Sequence, residues 1–234
     1  MPLSSLSAQE TARLDALRRY RVLDSAPERA YDDAVLLAST ICETPIALVS
    51  LIDEHRQWFK ARHGLEASET PREHAFCAHA IESTDTFIVA DAARDARFAA
   101  NPLVLGDPHI RFYAGAPLVD GDGYALGTLC VIDRVPRHLT NSQQQALEAL
   151  SRQVVTQLQL RRTADELAAA LEETRTLRAL LPVCAWCRDV RDDAGYWSSL
   201  EQYLARHHGA DYSHGICPTC YAKMLPASPC GEPA

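Results

Sequence analysis

The chain has 234 residues, 47% of them hydrophobic, with a formal net charge of -8. That supplies one good-sized core and a smaller unit, while the acidic balance repels phosphate backbones and argues against a nucleic-acid surface. The opening MPLSSLSAQE lacks a basic segment followed by an apolar block, and runs such as IALVSLI are too short to cross a bilayer, so a cytoplasmic protein without membrane contact is expected, its eight cysteines reduced rather than paired as disulfides.

Three helix starts carry a Ser or Thr followed three residues later by Glu or Gln, the reciprocal arrangement that satisfies free amides of a first turn. They are Ser7 with Glu10, Ser25 with Glu28, and Thr140 with Gln143. The first predicts a helix through about Tyr20, and the second one from Pro27 to about Cys42, with Tyr31, Val35, Leu36, Leu37 and Ala38 as its apolar side. PIALVSLID and QWFKAR read as two strands turned at EHR. REHAFCAHAIEST has helical spacing, FIVAD is a short strand, and IRFYAGAPLV and YALGTLCVID form a second hairpin at DGDG. From Thr140 to about Leu180 no Gly or Pro interrupts a helical pattern, whose later part carries Leu160, Ala164, Leu167, Leu171 and Thr174 as a short heptad seam. Strands joined mostly by hairpins and interspersed with helices predict an α+β fold, an antiparallel sheet with helices on its faces and a long exit helix.

The runs RLDALRRYRVLDSAPERAYDD, IALVSLIDEHRQWFKARHGLEASETPREHAFCAHAI, DARFAANPLV, RFYAGAPL and GTLCVIDRVPR resemble the GAF domains of bacterial sensor kinases and related signalling proteins. The resemblance spans about residues 8 to 160 and implies a domain that senses a small ligand or contacts proteins, often as a homodimer through its terminal helices. Some GAF domains that resemble phytochromes hold a bilin through a cysteine followed at once by histidine. Here Ala78 separates Cys77 from His79, and residues two apart on a helix point about 200° from each other, so no bilin is expected. Cys42, Cys77 and Cys130 read as buried apolar thiols. The candidates for lining a ligand cavity are Asp53, Trp58, Phe76, Cys77 and Tyr113; core packing equally explains Trp58 and Tyr113, and a turn role equally explains Asp53. No phosphate-cradling loop and no nucleophile motif is present, so the chain is not expected to be an enzyme.

Beyond Pro182 stand two Cys-x-x-Cys pairs, Cys184 with Cys187 and Cys217 with Cys220. Such a turn brings two thiolates to the edge of a tetrahedron and can aim backbone amides at the sulfurs, so two turns complete a closed four-sulfur zinc site. His214 is an alternative ligand. The helix YWSSLEQYLARHH between the pairs, with Trp197, Leu200, Tyr203 and Leu204 on one stripe, is too small a core alone, and zinc supplies the missing folding free energy. Haem is not expected, since Arg188 and Tyr221 rather than His follow the pairs. LLPVCAWCRDVRDDAGYW with SHGICPTC resembles a cysteine-rich tail found after sensor or receiver domains of bacterial signalling proteins. The expected organisation is therefore a GAF domain at 1–160, a coiled-coil linker at 161–181, a small zinc-ribbon-like module at 182–225 and a tail at 226–234. Occupancy of the sensor would pass through a dimeric helix to a protein-binding module that contacts another signalling protein. A redox sensor built on the Cys-x-x-Cys pairs and a scaffold without a ligand are the alternatives.

Overall fold

The computed structural model describes residues 7–178, 182–192, 194–208 and 215–224. The chain divides into two compact units, Met1–Ala169 and Ala170–Ala234. Two helices open the first, α1 (Ala8–Arg19) and α2 (Arg29–Cys42). The strands follow as β1 (Ile46–Ile52), β2 (Arg56–His63) and β3 (Glu69–Pro71), then a 3-10 turn (Arg72–His74) and the short helix α3 (Phe76–Ala80). After these come β4 (Phe87–Val89), α4 (Pro102–Leu105), β5 (Phe112–Val119) and β6 (Ala125–Asp133), and then the long helix α5 (Asn141–Arg178).

The six strands form one antiparallel sheet in the order β3-β2-β1-β6-β5-β4. Its inner strands are apolar on both sides because both faces are covered, so β1 and β6 are buried along their whole lengths. One face carries Ala47, Val49, Leu51, Leu126 and Leu129 against Leu17, Tyr31, Val35, Leu147 and Val154 of α1, α2 and α5. The other face carries Ile46, Leu48, Phe59 and Ile132 against Phe76, Phe98 and Val104 around α3 and α4. Gly127 permits the central pairing: it lies opposite Leu51, where any Cβ would overlap the Ser50 carbonyl.

Local signals gave the helix starts unequally. The Ser7 hydroxyl accepts from the Glu10 amide at 3.2 Å, and Thr140 and Gln143 cap each other reciprocally. The Ser25–Glu28 box does not form. Glu28 itself is the N-cap of α2 without a side-chain cap bond, because tertiary partners hold its carboxylate and the Ser25 hydroxyl. The buried face of α2 is Tyr31, Ala34, Val35, Ala38 and Cys42, whereas Leu36 and Leu37 are exposed. REHAFCAHAIEST breaks into the 3-10 turn and a five-residue α3, since Ala75 adopts an extended backbone between them.

In the second unit, β7 (Val190–Arg191) pairs with β8 (Trp197–Ser198), and α6 (Leu200–His208) and α7 (Pro218–Met224) follow. The expected helix therefore starts later than Tyr196: Trp197 belongs to a strand, and Ser199 caps α6 by accepting from the Gln202 amide at 3.3 Å. Among the described residues, no helix is long and apolar enough to cross a membrane.

Candidate functional site

Beneath α3, polar residues interrupt the apolar sheet. Ser50 and Thr128 stand opposite each other on β1 and β6, and strand alternation turns both toward the α3 face. Their hydroxyls are 3.2 Å apart. Cys130 lies two residues beyond Thr128, and Gly115 of β5 stands opposite Cys130. The missing side chain at Gly115 leaves room for the Tyr113 ring, whose hydroxyl occupies the space a Cβ would need. From α3, Cys77 reaches down to this group: its Sγ accepts from Tyr113 OH at 3.2 Å and from Thr128 Oγ1 at 3.1 Å, with Cys130 Sγ 3.8 Å away.

Burial pushes the Cys77 thiol up, but hydrogen bonds from Cys130, Ser50, Thr128 and Tyr113 outweigh it and bring the group to about 7. Hydrogen bonding to Cys77 and burial push Cys130 well above its ordinary value. Cys42, buried with no such donors, rises to about 11. The more deeply buried thiol is thus the one that is lowered, and the hydrogen bonds from Cys130 and the three hydroxyls make the difference.

Beside Cys77 lies a cavity of about 100 Å³, walled by Leu48, Phe59, Phe76, Cys77, Tyr113 and Ile132 among others. Gln57 and Thr70 also line it, and Gln57 Oε1 and Thr70 Oγ1 are buried there without a hydrogen-bond partner. Phe76 closes it by stacking on Phe98 at 4.1 Å and on Tyr113 at 5.3 Å.

Three of the five residues expected at a ligand site, Phe76, Cys77 and Tyr113, come together here. Trp58 packs into the core on the opposite face of the sheet, because it alternates with Gln57 and Phe59 along β2. Asp53 closes the β1–β2 turn, accepting from the Glu54 amide at 2.8 Å. Ser50, Gln57, Thr70, Gly115, Thr128 and Cys130 were not singled out as site residues. A sequence signal existed for Ser50 and Thr128, hydroxyls inside otherwise apolar strands. His79 lies edge-on to the Phe98 ring at 5.0 Å, away from the Cys77 sulfur group.

A second polar cluster lies behind the sheet. Two residues beyond Trp58 on β2, Lys60 points to the same α2 side by strand alternation, its side chain 0% exposed; a β-bulge opposite Val49/Ser50 puts Ala61 on that side as well. Lys60 Nζ donates to Ser25 Oγ at 2.8 Å, to the Ala26 carbonyl at 2.7 Å and to Glu28 Oε1 at 2.6 Å, beneath the Tyr31 ring. Arg161 of α5 donates to the same Ser25 Oγ and Glu28 Oε1, at 2.9 and 2.6 Å. One carboxylate therefore ties a sheet lysine to the exit helix.

In the second unit Cys184 and Cys187 flank a turn, while Cys217 and Cys220 stand at the start of α7. Backbone amides of Cys187 and Trp186 bond the Cys184 sulfur and hold it below the ordinary thiol range, while Cys187 is raised by donating to Cys184 and by Asp189 despite a favourable Asp189 amide. The Cys220 amide and thiol, with the Thr219 amide, likewise lower Cys217. This donor set suits thiolates bound to a soft metal. Among the described residues, however, no three His, Cys, Asp or Glu side chains are gathered into a metal-holding group. His214 lies outside the described residues.

The family model described as "GAF domain" matches residues 26–158. A cyclic di-GMP phosphodiesterase of Pseudomonas aeruginosa is 49% identical over 116 residues, covering 50% of this chain and only 20% of that protein's length. The GAF domain from a phosphoenolpyruvate-protein phosphotransferase of Coxiella burnetii is similar at a TM-score of 0.51 and 16% identity, covering 68% of this chain and 99% of that one. A bacteriophytochrome of R. palustris is similar at 0.51 and 13%, covering 76% and 43%. At such identities the likeness is one of fold.

Proposed function

The chain belongs to the GAF domain family, and on that premise we propose that it is a signalling protein whose cavity beneath α3 takes a small ligand and whose output is binding rather than catalysis. The observation that carries this reading is the pair of unpartnered buried oxygens, Gln57 Oε1 and Thr70 Oγ1, on the wall of an otherwise apolar cavity. An unsatisfied buried acceptor costs about 1–3 kcal/mol, and a ligand with an apolar body and an N–H or O–H donor relieves that penalty. Occupancy shifts α3 and the sheet edge, and the Lys60–Glu28–Arg161 cluster passes the shift to α5. The expected homodimer uses α5, where Leu160, Leu167 and Leu171 are 58%, 59% and 61% exposed. Zinc held by Cys184, Cys187, Cys217 and Cys220 would supply folding free energy to the C-terminal module, which contacts a signalling partner. That a relative with a matching region is a cyclic di-GMP phosphodiesterase supports a place for this domain type in second-messenger signalling.

The test is mass spectrometry of small molecules released from the purified protein, followed by titration of the molecule found. Gln57→Leu is expected to weaken its binding at least about tenfold, the loss of one buried hydrogen bond. Protein that carries no molecule and shows no melting shift with any metabolite would turn the reading toward a scaffold. A redox role for the tail is the second reading, favoured by the unequal Cys184 and Cys187 thiols; it predicts metal release on mild oxidation and recovery on reduction.

A further inference from the structure

The group around Cys77 is costly to build for a thiol that only fills space. A neutral thiol is a weak acceptor and gains little from two hydroxyl donors, whereas an anionic sulfur gains a great deal. Tyr113 OH and Thr128 Oγ1 both donate to Cys77 Sγ, at 3.2 and 3.1 Å, and Ser50 Oγ lies 3.2 Å from Thr128 Oγ1. The hydroxyls thus favour the ionised form of Cys77, while Cys130, its Sγ 3.8 Å away, is pushed toward its neutral form. This is the arrangement a nucleophilic sulfur and a resolving thiol require. Cys77 also lines the cavity of about 100 Å³, room for a few atoms beside the sulfur. Cys42, by contrast, has no such donors, and burial raises its thiol to about 11.

We propose that Cys77 and Cys130 form a peroxide-responsive dithiol that closes into a disulfide between α3 and β6. The Cys77 thiolate attacks one oxygen of hydrogen peroxide; the O–O bond breaks, and the leaving hydroxide takes up the proton that Cys77 gave up on ionising and departs as water. Cys77 is then a sulfenic acid. The Cys130 sulfur attacks the Cys77 sulfur, the S–O bond breaks, and the hydroxide released takes the Cys130 proton as a second water. Two thiols and one hydrogen peroxide thereby give one disulfide and two waters, with the peroxide reduced and the sulfurs oxidised.

Closure brings the sulfurs from 3.8 Å to about 2.05 Å. Cys130 sits in a central strand paired on both sides, so the five-residue α3 is the element that moves. Phe76, next to Cys77, moves with it and loosens its stacks on Phe98 and Tyr113; Phe76 and Tyr113 both line the cavity. Oxidation would so change the cavity, whatever ligand it takes.

The test uses the full chain, treated with hydrogen peroxide near stoichiometry, quenched by alkylation and mapped by peptide mass spectrometry. The expected product is a peptide pair joining Cys77 to Cys130, reopened by dithiothreitol. Cys130→Ser should leave Cys77 as a sulfenic acid that a dimedone probe captures. In Tyr113→Phe the pH profile of the reaction should move upward, slowing it about tenfold at neutral pH as the thiolate fraction falls; a merely structural role for the hydroxyl would leave that profile in place. Cys77 and Cys130 both staying free while the tail cysteines oxidise, or Cys77 pairing only with other cysteines, overturns the proposal. The mapping on the unaltered protein decides this even if a variant fails to fold.

Discussion

Replacing Glu28 by Ala tests the cluster that joins the sheet to the exit helix. Glu28 Oε1 accepts from both Lys60 and Arg161 at 2.6 Å, and the Lys60 side chain is 0% exposed while Glu28 is 40% exposed. Removing one partner of a buried pair costs about 3–5 kcal/mol, chiefly because it strands the other charge. Two circumstances lower the figure here. Water already reaches Glu28, and Lys60 Nζ keeps Ser25 Oγ and the Ala26 carbonyl. The expected loss is about 2–3 kcal/mol, or about 5–10 °C in melting temperature for a chain of this size. Lys60→Met should cost less, about 1 kcal/mol, since it removes the buried charge and leaves Glu28 to Arg161 and water. In the double variant, Glu28→Ala should then add little. Urea unfolding followed by circular dichroism provides the measurement, with Arg29→Ala as the control. Arg29 is 92% exposed and 3.7 Å from Asp33, so its loss should stay within about 0.5 kcal/mol. Equal effects of Glu28→Ala and Arg29→Ala would refute the reasoning.

Burial raises the Glu10 carboxyl, but hydrogen bonds from Arg13 and Arg72 more than offset it and hold the group at about 2, below its ordinary 4.5. Its contribution is therefore complete above pH 4.5 and is lost as the pH falls toward 2. Glu10→Gln should lose about 1–2 kcal/mol at neutral pH and flatten the stability curve across that acid window. Gly127→Ala, whose Cβ would enter the Ser50 carbonyl, should cost at least about 3 kcal/mol by denaturation. Gly123→Ala, strained only by a φ of +87° with nothing near its Cβ, should cost about 1 kcal/mol. Elemental mass spectrometry of protein purified without added metal should find one zinc per chain, lost in both Cys184→Ser and Cys217→Ser along with the fold of the tail; normal folding without metal would remove zinc from the account.

What the sequence determined by itself was whatever short-range physics decides. Apolar runs with hairpin turns placed β1, β2, β5 and β6, and the capping residues Ser7 and Thr140 placed α1 and α5, because these signals act within a few residues. The Cys184–Cys187 turn was legible for the same reason, down to amides bonded to the first sulfur, whereas Cys217 and Cys220 open the helix α7, which the sequence reading did not place. Tertiary structure alone decided the rest. The Ser25–Glu28 pattern matched a capping box as well as Ser7 did, yet a lysine and an arginine distant in sequence took both side chains, since a buried ammonium demands acceptors more strongly than a helix end does. Trp58 went to the far face of the sheet because Gln57 and Phe59, its strand neighbours, face the cavity. Cys77 was legible as a buried thiol and as a candidate for lining a cavity, but not as the centre of a group of hydroxyls. Its hydroxyl neighbours come from β1, β5 and β6, and only strand register brings Ser50 opposite Thr128 and Gly115 opposite Cys130, giving the Tyr113 hydroxyl its place beside the sulfur.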